Sequence, residues 1–178
     1  MAHKLPPPPE PLVERNAFRA GHGYACSPLP SYDDARPRLP VPVLPDDPAY
    51  EQIYWSAWES LWAALCPPTP GSRLVGPYLL PAADAPIEMG TAPFVAQLAG
   101  YVPGDTTLIE LLDNFYARQH DDGFICRALD PTDGDDLHLP YEPNSTGPAL
   151  LAWAEWRRFR LTGDAARHVS SRCAKDIC

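Results

Sequence analysis

The sequence predicts an all-α fold, and three observations carry that prediction. Apolar residues recur at i, i+3 and i+4 through several windows. Capping and breaking residues sit at the ends of those windows. No window alternates apolar and polar residues as a half-buried strand would. With 178 residues and 45% hydrophobic content, the chain is long enough for one domain with a real core.

The first helix is expected from Ala49 to Leu65. Asp46, Asp47 and Pro48 supply an acidic cap and a first-turn proline. Tyr50, Ile53, Tyr54, Ala57, Trp58, Leu61, Trp62 and Leu65 form its apolar stripe. Pro67, Pro68, Pro70 and Gly71 stop it, and residues 67–90 read as a long loop. Helical character returns over Thr91 to Val102 and breaks at Pro103-Gly104. Asp105 or Thr106 then caps a helix whose apolar face is Leu108, Leu111, Leu112, Phe115 and Tyr116. Residues 120–143 read as a second long loop. Asn144-Ser145-Thr146 is expected to cap a last long helix carrying Leu150, Leu151, Trp153, Ala154, Trp156, Phe159 and Leu161, ending at Gly163. Asp164 caps a short final segment.

Before Ala49 the chain is dominated by proline, including the run Pro6 to Pro9 and seven more between Pro28 and Pro48. Proline fixes φ and lacks a backbone donor, so residues 1–47 are expected to be an extended or disordered arm. A PxxP ligand is the sharper reading of the same residues. The ordered body is expected over 48–168, with an irregular tail at 169–178.

Charge narrows the partners. The formal net charge is −9, which repels phosphate backbones and anionic membrane, so neither nucleic acid nor membrane is an expected partner. Residues 1–11 lack the apolar core of a signal peptide, and no stretch approaches about 18 apolar residues. The five cysteines are scattered and none forms a C-x-x-C pair. Reduced thiols and a cytoplasmic location are the expectation.

Few local patterns carry chemistry. The stretch Tyr54 to Trp62 is rich in tryptophan, and Trp55 stands one helical turn from Glu59. Indole faces stack on sugar rings and carboxylates accept hydroxyl protons. Gln119, His120, Asp121, Asp122 and Arg127 gather hydroxyl-binding groups after a helix end, around a tight Asp122-Gly123 turn. His120-Asp121-Asp122 lacks a ligand period, so no metal is expected there. In Asp130 to Asp136, Gly134 at the sixth position of a calcium loop would put Leu129 where an aspartate is needed, so a solvated turn is expected. No G-x-S-x-G, G-x-G-x-x-G or Walker pattern occurs, and no cofactor is expected.

Three stretches taken together carry a resemblance. They are Tyr50 to Glu59 (YEQIYWSAWE), Leu112 to Arg127 (LDNFYARQHDDGFICR) and Ser145 to Trp156 (STGPALLAWAEW). Over roughly residues 48–168 the chain resembles the mannosylglycerate-hydrolase-like glycoside hydrolases, relatives of glycoside hydrolase family 63 and of the trehalases. The resemblance implies part of an (α/α)6 barrel, the six-hairpin glycosidase architecture. It implies inverting hydrolysis of small α-glucosides or α-mannosides, by two carboxyls about 6.5–9.5 Å apart. Family members place both catalytic groups beyond the stretches matched here, so the chain reads as an N-terminal, truncated form that is inactive alone. Substrate contacts are expected from Trp55, Gln119, Asp122 and Arg127.

The sequence also departs from the family. Gly90 and Thr91 stand where members carry a Trp-Asp pair that helps hold the sugar, and Ser145 to Pro148 lacks the glutamine of the trehalase helix start. The ending, Ser170 to Cys178, reads as a truncated or frame-shifted tail. A non-catalytic carbohydrate-binding or scaffold protein is the alternative function, with a small carbohydrate or glycoside as ligand in either case. Open barrel faces are expected to favour self-association.

Overall fold

The computed structural model describes residues 16, 18, 29–43, 47–102, 107–147 and 150–165. The run Pro6 to Pro9, the 103–106 break and the 169–178 tail lie outside these residues.

The arm is not extended throughout. Helix α1 (Tyr32–Ala35) starts on a capping box, in which Ser31 and Asp34 each accept a bond from the other's backbone. A 3-10 turn comes next at Arg36–Arg38, with Pro37 at its start, where a fixed φ and a missing donor cost nothing. Proline density predicted no helix here because it marks what a segment cannot continue, not what it can begin.

Helix α2 (Pro48–Ala63) begins as expected, with the Asp47 carboxylate accepting from Ala49 N at 3.1 Å. Trp58 and Trp62 are buried and stack at 5.9 Å. The arm covers them: Trp62 Nε1 donates to Pro30 O at 3.2 Å, Tyr54 OH donates to Pro40 O at 2.6 Å, and Ala35 and Leu39 join the same core. Leu65 is buried too, and Tyr54 and Leu61 are half-buried against the same core, while Tyr50, Ile53 and Ala57 of the expected stripe are exposed.

The all-α expectation is corrected by two small antiparallel ladders. Strand β1 (Leu65–Cys66) pairs with β2 (Tyr78–Leu79), and β3 (Ile87–Glu88) pairs with β4 (Ala128–Leu129). All four lie in or beside the segments expected as long loops. Each is two residues long, too short for alternation to register in sequence. The protein is therefore mainly helical with small antiparallel sheets.

The remaining helices are α3 (Ala92–Ala96), continued by a 3-10 turn at Gln97–Tyr101, then α4 (Thr107–Glu110), α5 (Asp113–Ala117) and α6 (Leu151–Thr162). Leu108, Leu111, Leu112, Phe115 and Tyr116 are all buried, as the periodicity requires. Helix α6 packs on α3 and its 3-10 continuation. It ends where expected, at Gly163 in a left-handed conformation, φ 70°. Its start differs. Ser145 and Thr146 do not cap it: Thr146 bridges to Cys126, Ser145 O accepts from Arg127 N at 2.9 Å, and the helix begins at Leu151. Backbone pairing outcompetes the local cap at these residues. Among the described residues no helix is long and apolar enough to cross a membrane.

Candidate functional site

Asn114 fixes the floor of the region. It is fully buried, and its amide makes four hydrogen bonds to the segment after β1. Oδ1 accepts from Val75 N at 2.8 Å and Gly76 N at 3.0 Å, while Nδ2 donates to Gly76 O at 3.1 Å and Pro77 O at 2.8 Å. Glycine is required at 76 by the close approach: a Cβ there would stand 2.8 Å from Glu110 O. The Asn114 clamp leads the chain directly into β2.

From the end of α5 the chain makes a tight turn. His120 N donates to Phe124 O at 2.8 Å, and Gly123 occupies the left-handed region at φ 85°. Gln119 is buried, and its Nε2 donates to Gly123 O at 3.3 Å, so it braces this turn. Asp122 caps it through Oδ1, which accepts from Phe124 N at 3.0 Å, while Oδ2 accepts from Tyr141 OH. Arg127 is half-exposed; its Nε donates to Asn144 O, and its Nη1 lies 3.8 Å from Glu88 Oε1.

Asp122 and Arg127 are thus brought to one segment, residues 141–144. That segment carries two non-glycine residues with left-handed backbone, Tyr141 (φ 65°) and Asn144 (φ 66°). Asparagine tolerates this conformation and tyrosine does not, so Tyr141 stores on the order of 1–3 kcal/mol of strain. Trp55 is placed with a different set of neighbours. Its ring faces the Arg36 guanidinium at 5.0 Å and meets Tyr54 edge-on at 5.1 Å. Its Nε1 donates to Glu51 at 3.3 Å, one turn before it, rather than to Glu59 one turn after.

The acidic loop is bound into the protein rather than merely solvated. Asp135 pairs with Arg73 at 2.7 Å and Arg118 at 3.3 Å, and Asp136 with His120 at 2.6 Å and Arg118 at 3.5 Å. Asp130 and Asp133 spend one oxygen each on Thr132 N and Asp135 N, as turn residues do. Among the described residues no group of three or more His, Cys, Asp or Glu side chains could hold a metal ion.

Beside Arg127 lies a cavity of about 240 Å³, walled by Tyr78 and Leu79 of β2, Pro86, Ile87 and Glu88 around β3, and Thr91 before α3. Glu88, one of the lining residues, pairs with Arg127, which is not itself part of the wall. The two sides are tied by the β3–β4 ladder and by Met89 N, which donates to Arg127 O at 2.8 Å. Gly90 is exposed, and a Cβ built there meets nothing within 4 Å. Sequence reading missed Glu88, Asn114 and Tyr141. Asn114 alone left a signal, a polar residue one turn from Leu111 inside an apolar stripe. No family model, curated protein or solved structure matches this chain.

Proposed function

We propose that this protein is glycoside-hydrolase-like, built on helices of an (α/α)6 barrel, and that its own residues bind a small α-glucoside or α-mannoside without cleaving it. One observation supports the reading most. Arg127, from the middle of the three family-like stretches, pairs with Glu88, which lines the cavity together with Thr91. Thr91 and Gly90 stand where the resembled family carries its sugar-holding pair. The open space at Gly90 leaves room for a ring that a tryptophan would otherwise contact.

The cavity is smaller than the roughly 300–1,000 Å³ of drug-sized sites, which favours one sugar ring. Its apolar wall suits the C–H face of that ring, and Tyr78 adds aromatic surface. The Glu88 carboxylate accepts hydroxyl protons and the Arg127 guanidinium donates to hydroxyl oxygens. A neutral ligand is compatible with the net charge of −9. Glu88 is the one acidic residue among the described residues that line the cavity, so we assign no paired acid and base of inverting hydrolysis there. Each such group contributes about 10²–10⁴-fold to rate.

Titration calorimetry with methyl α-glucoside and methyl α-mannoside tests this. Saturable binding is expected, and Glu88→Gln or Arg127→Gln should weaken it by about tenfold or more, the worth of a hydrogen bond to a charged group. No release of aryl alcohol from an aryl α-glycoside is expected. Absence of binding, or binding indifferent to both substitutions, would overturn the proposal.

A further inference from the structure

Helix α6 turns an aromatic and cationic face to solvent. Leu151, Ala154, Glu155 and Arg158 point inward and are buried. On the opposite side Trp153, Trp156, Arg157 and Arg160 follow the i, i+3, i+4, i+7 spacing of one helical face. Trp153 is 37% exposed and Trp156 51% exposed. Phe94 of α3, also exposed, meets Trp153 edge-on at 5.6 Å and widens the patch. Open tryptophans beside arginines have the composition of an interface centre, where Trp and Arg are the enriched anchors.

The order of the four residues selects the partner. A two-fold axis crossing α6 between Trp156 and Arg157 would pair position 156 with 157 and position 153 with 160. A second α6 laid antiparallel about that axis sets every tryptophan opposite an arginine. A parallel pairing would set arginine against arginine. Arg160 already lies over the Trp156 ring at 5.1 Å within one chain, so stacking of these two side-chain types is sterically available on this face. The geometry points to a symmetric dimer of this chain, formed by antiparallel pairing of α6 through crossed Trp–Arg stacks. Two-fold dimers are the commonest symmetric assembly, and they require this kind of self-complementary patch.

This inference is independent of the carbohydrate reading. Sedimentation equilibrium of the full chain tests it, with circular dichroism confirming that each variant keeps its helix. The wild type is expected to dimerise with concentration. Trp153→Gln/Trp156→Gln and Arg157→Gln/Arg160→Gln should each weaken self-association by about tenfold or more, because each removes one half of every stack. An equimolar mixture should recover association, since the arginines of one variant then meet the tryptophans of the other. Singly substituted Trp156→Gln and Arg157→Gln, mixed in the same way, replace any double variant that loses its helix. A monomeric wild type, a larger oligomer, variants that associate as well as the wild type, or a mixture no tighter than its components would overturn the inference.

Discussion

Replacing Asn114 with alanine removes four hydrogen bonds at one buried position. Each contributes about 0.5–1.5 kcal/mol net, so the expected loss is about 4 kcal/mol. That is a large part of the roughly 5–15 kcal/mol that stabilises a domain. The cost rises further because Val75 N, Gly76 N, Gly76 O and Pro77 O lose their partner inside the protein. Asn114→Asp separates the two halves of the clamp. It keeps an acceptor for Val75 N and Gly76 N but turns a carboxylate oxygen toward Gly76 O and Pro77 O. Only the protonated acid can donate there. Burial and the two carbonyls therefore raise the folded pKa of this aspartate above its unfolded value of about 3.9. The protonated form's stabilisation is thus present below the unfolded pKa and is lost as pH rises through the folded one. Urea unfolding followed by far-UV circular dichroism measures both variants. An alanine variant less than about 1 kcal/mol below wild type, or an aspartate variant whose deficit does not grow with pH, would refute the clamp.

Gly76→Ala should destabilise by about 1–3 kcal/mol because its Cβ meets backbone that cannot step aside; the double variant with Asn114→Ala should cost less than the sum in urea unfolding, since both hold the same segment. Burial pushes the Cys66 thiol above its ordinary 9.0, outweighing the hydrogen bond with Tyr78, so its alkylation rate should rise with a midpoint above that pH. Iodoacetamide labelling read by mass spectrometry checks this, and a midpoint below 9.0 would contradict it. The Ser31 hydroxyl and backbone hold the Asp34 carboxyl below its usual 3.8, so the cap on α1 is fully formed above that pH and is lost as pH falls through the lower folded value. The Asp34 amide proton, followed by NMR, should report that transition below pH 3.8.

The range of each interaction decides whether the sequence discloses or hides it. Helix α2 is legible because its signals are local: Asp47 caps, Pro48 opens the first turn, and apolar residues repeat at helical spacing. Which part of that stripe is buried is not local. The arm residues Pro30, Ala35 and Leu39 lie over Trp58 and Trp62 and leave Tyr50 and Ile53 bare, and no periodicity encodes that choice. The same holds for α6, where Glu155 and Arg158 are buried while Trp153 and Trp156 face outward. Gln119 has the look of a ligand group because it is polar and sits among polar residues. The structure buries it and turns its Nε2 to the carbonyl of Gly123, four residues on, a contact that polarity alone does not encode. Glu88 is invisible in sequence because a two-residue strand leaves no pattern, yet the β3–β4 pairing is what sets it beside Arg127.

The proposed sugar site is the cavity between β2, β3 and α3. Amide chemical shifts of the labelled protein, recorded while methyl α-glucoside or methyl α-mannoside is added, test it residue by residue. Saturable shifts are expected at Glu88, Thr91 and Arg127, with Trp55 unmoved and the sugar intact at the end of the titration. Shifts confined to Trp55, or no shift at any cavity residue, would contradict it.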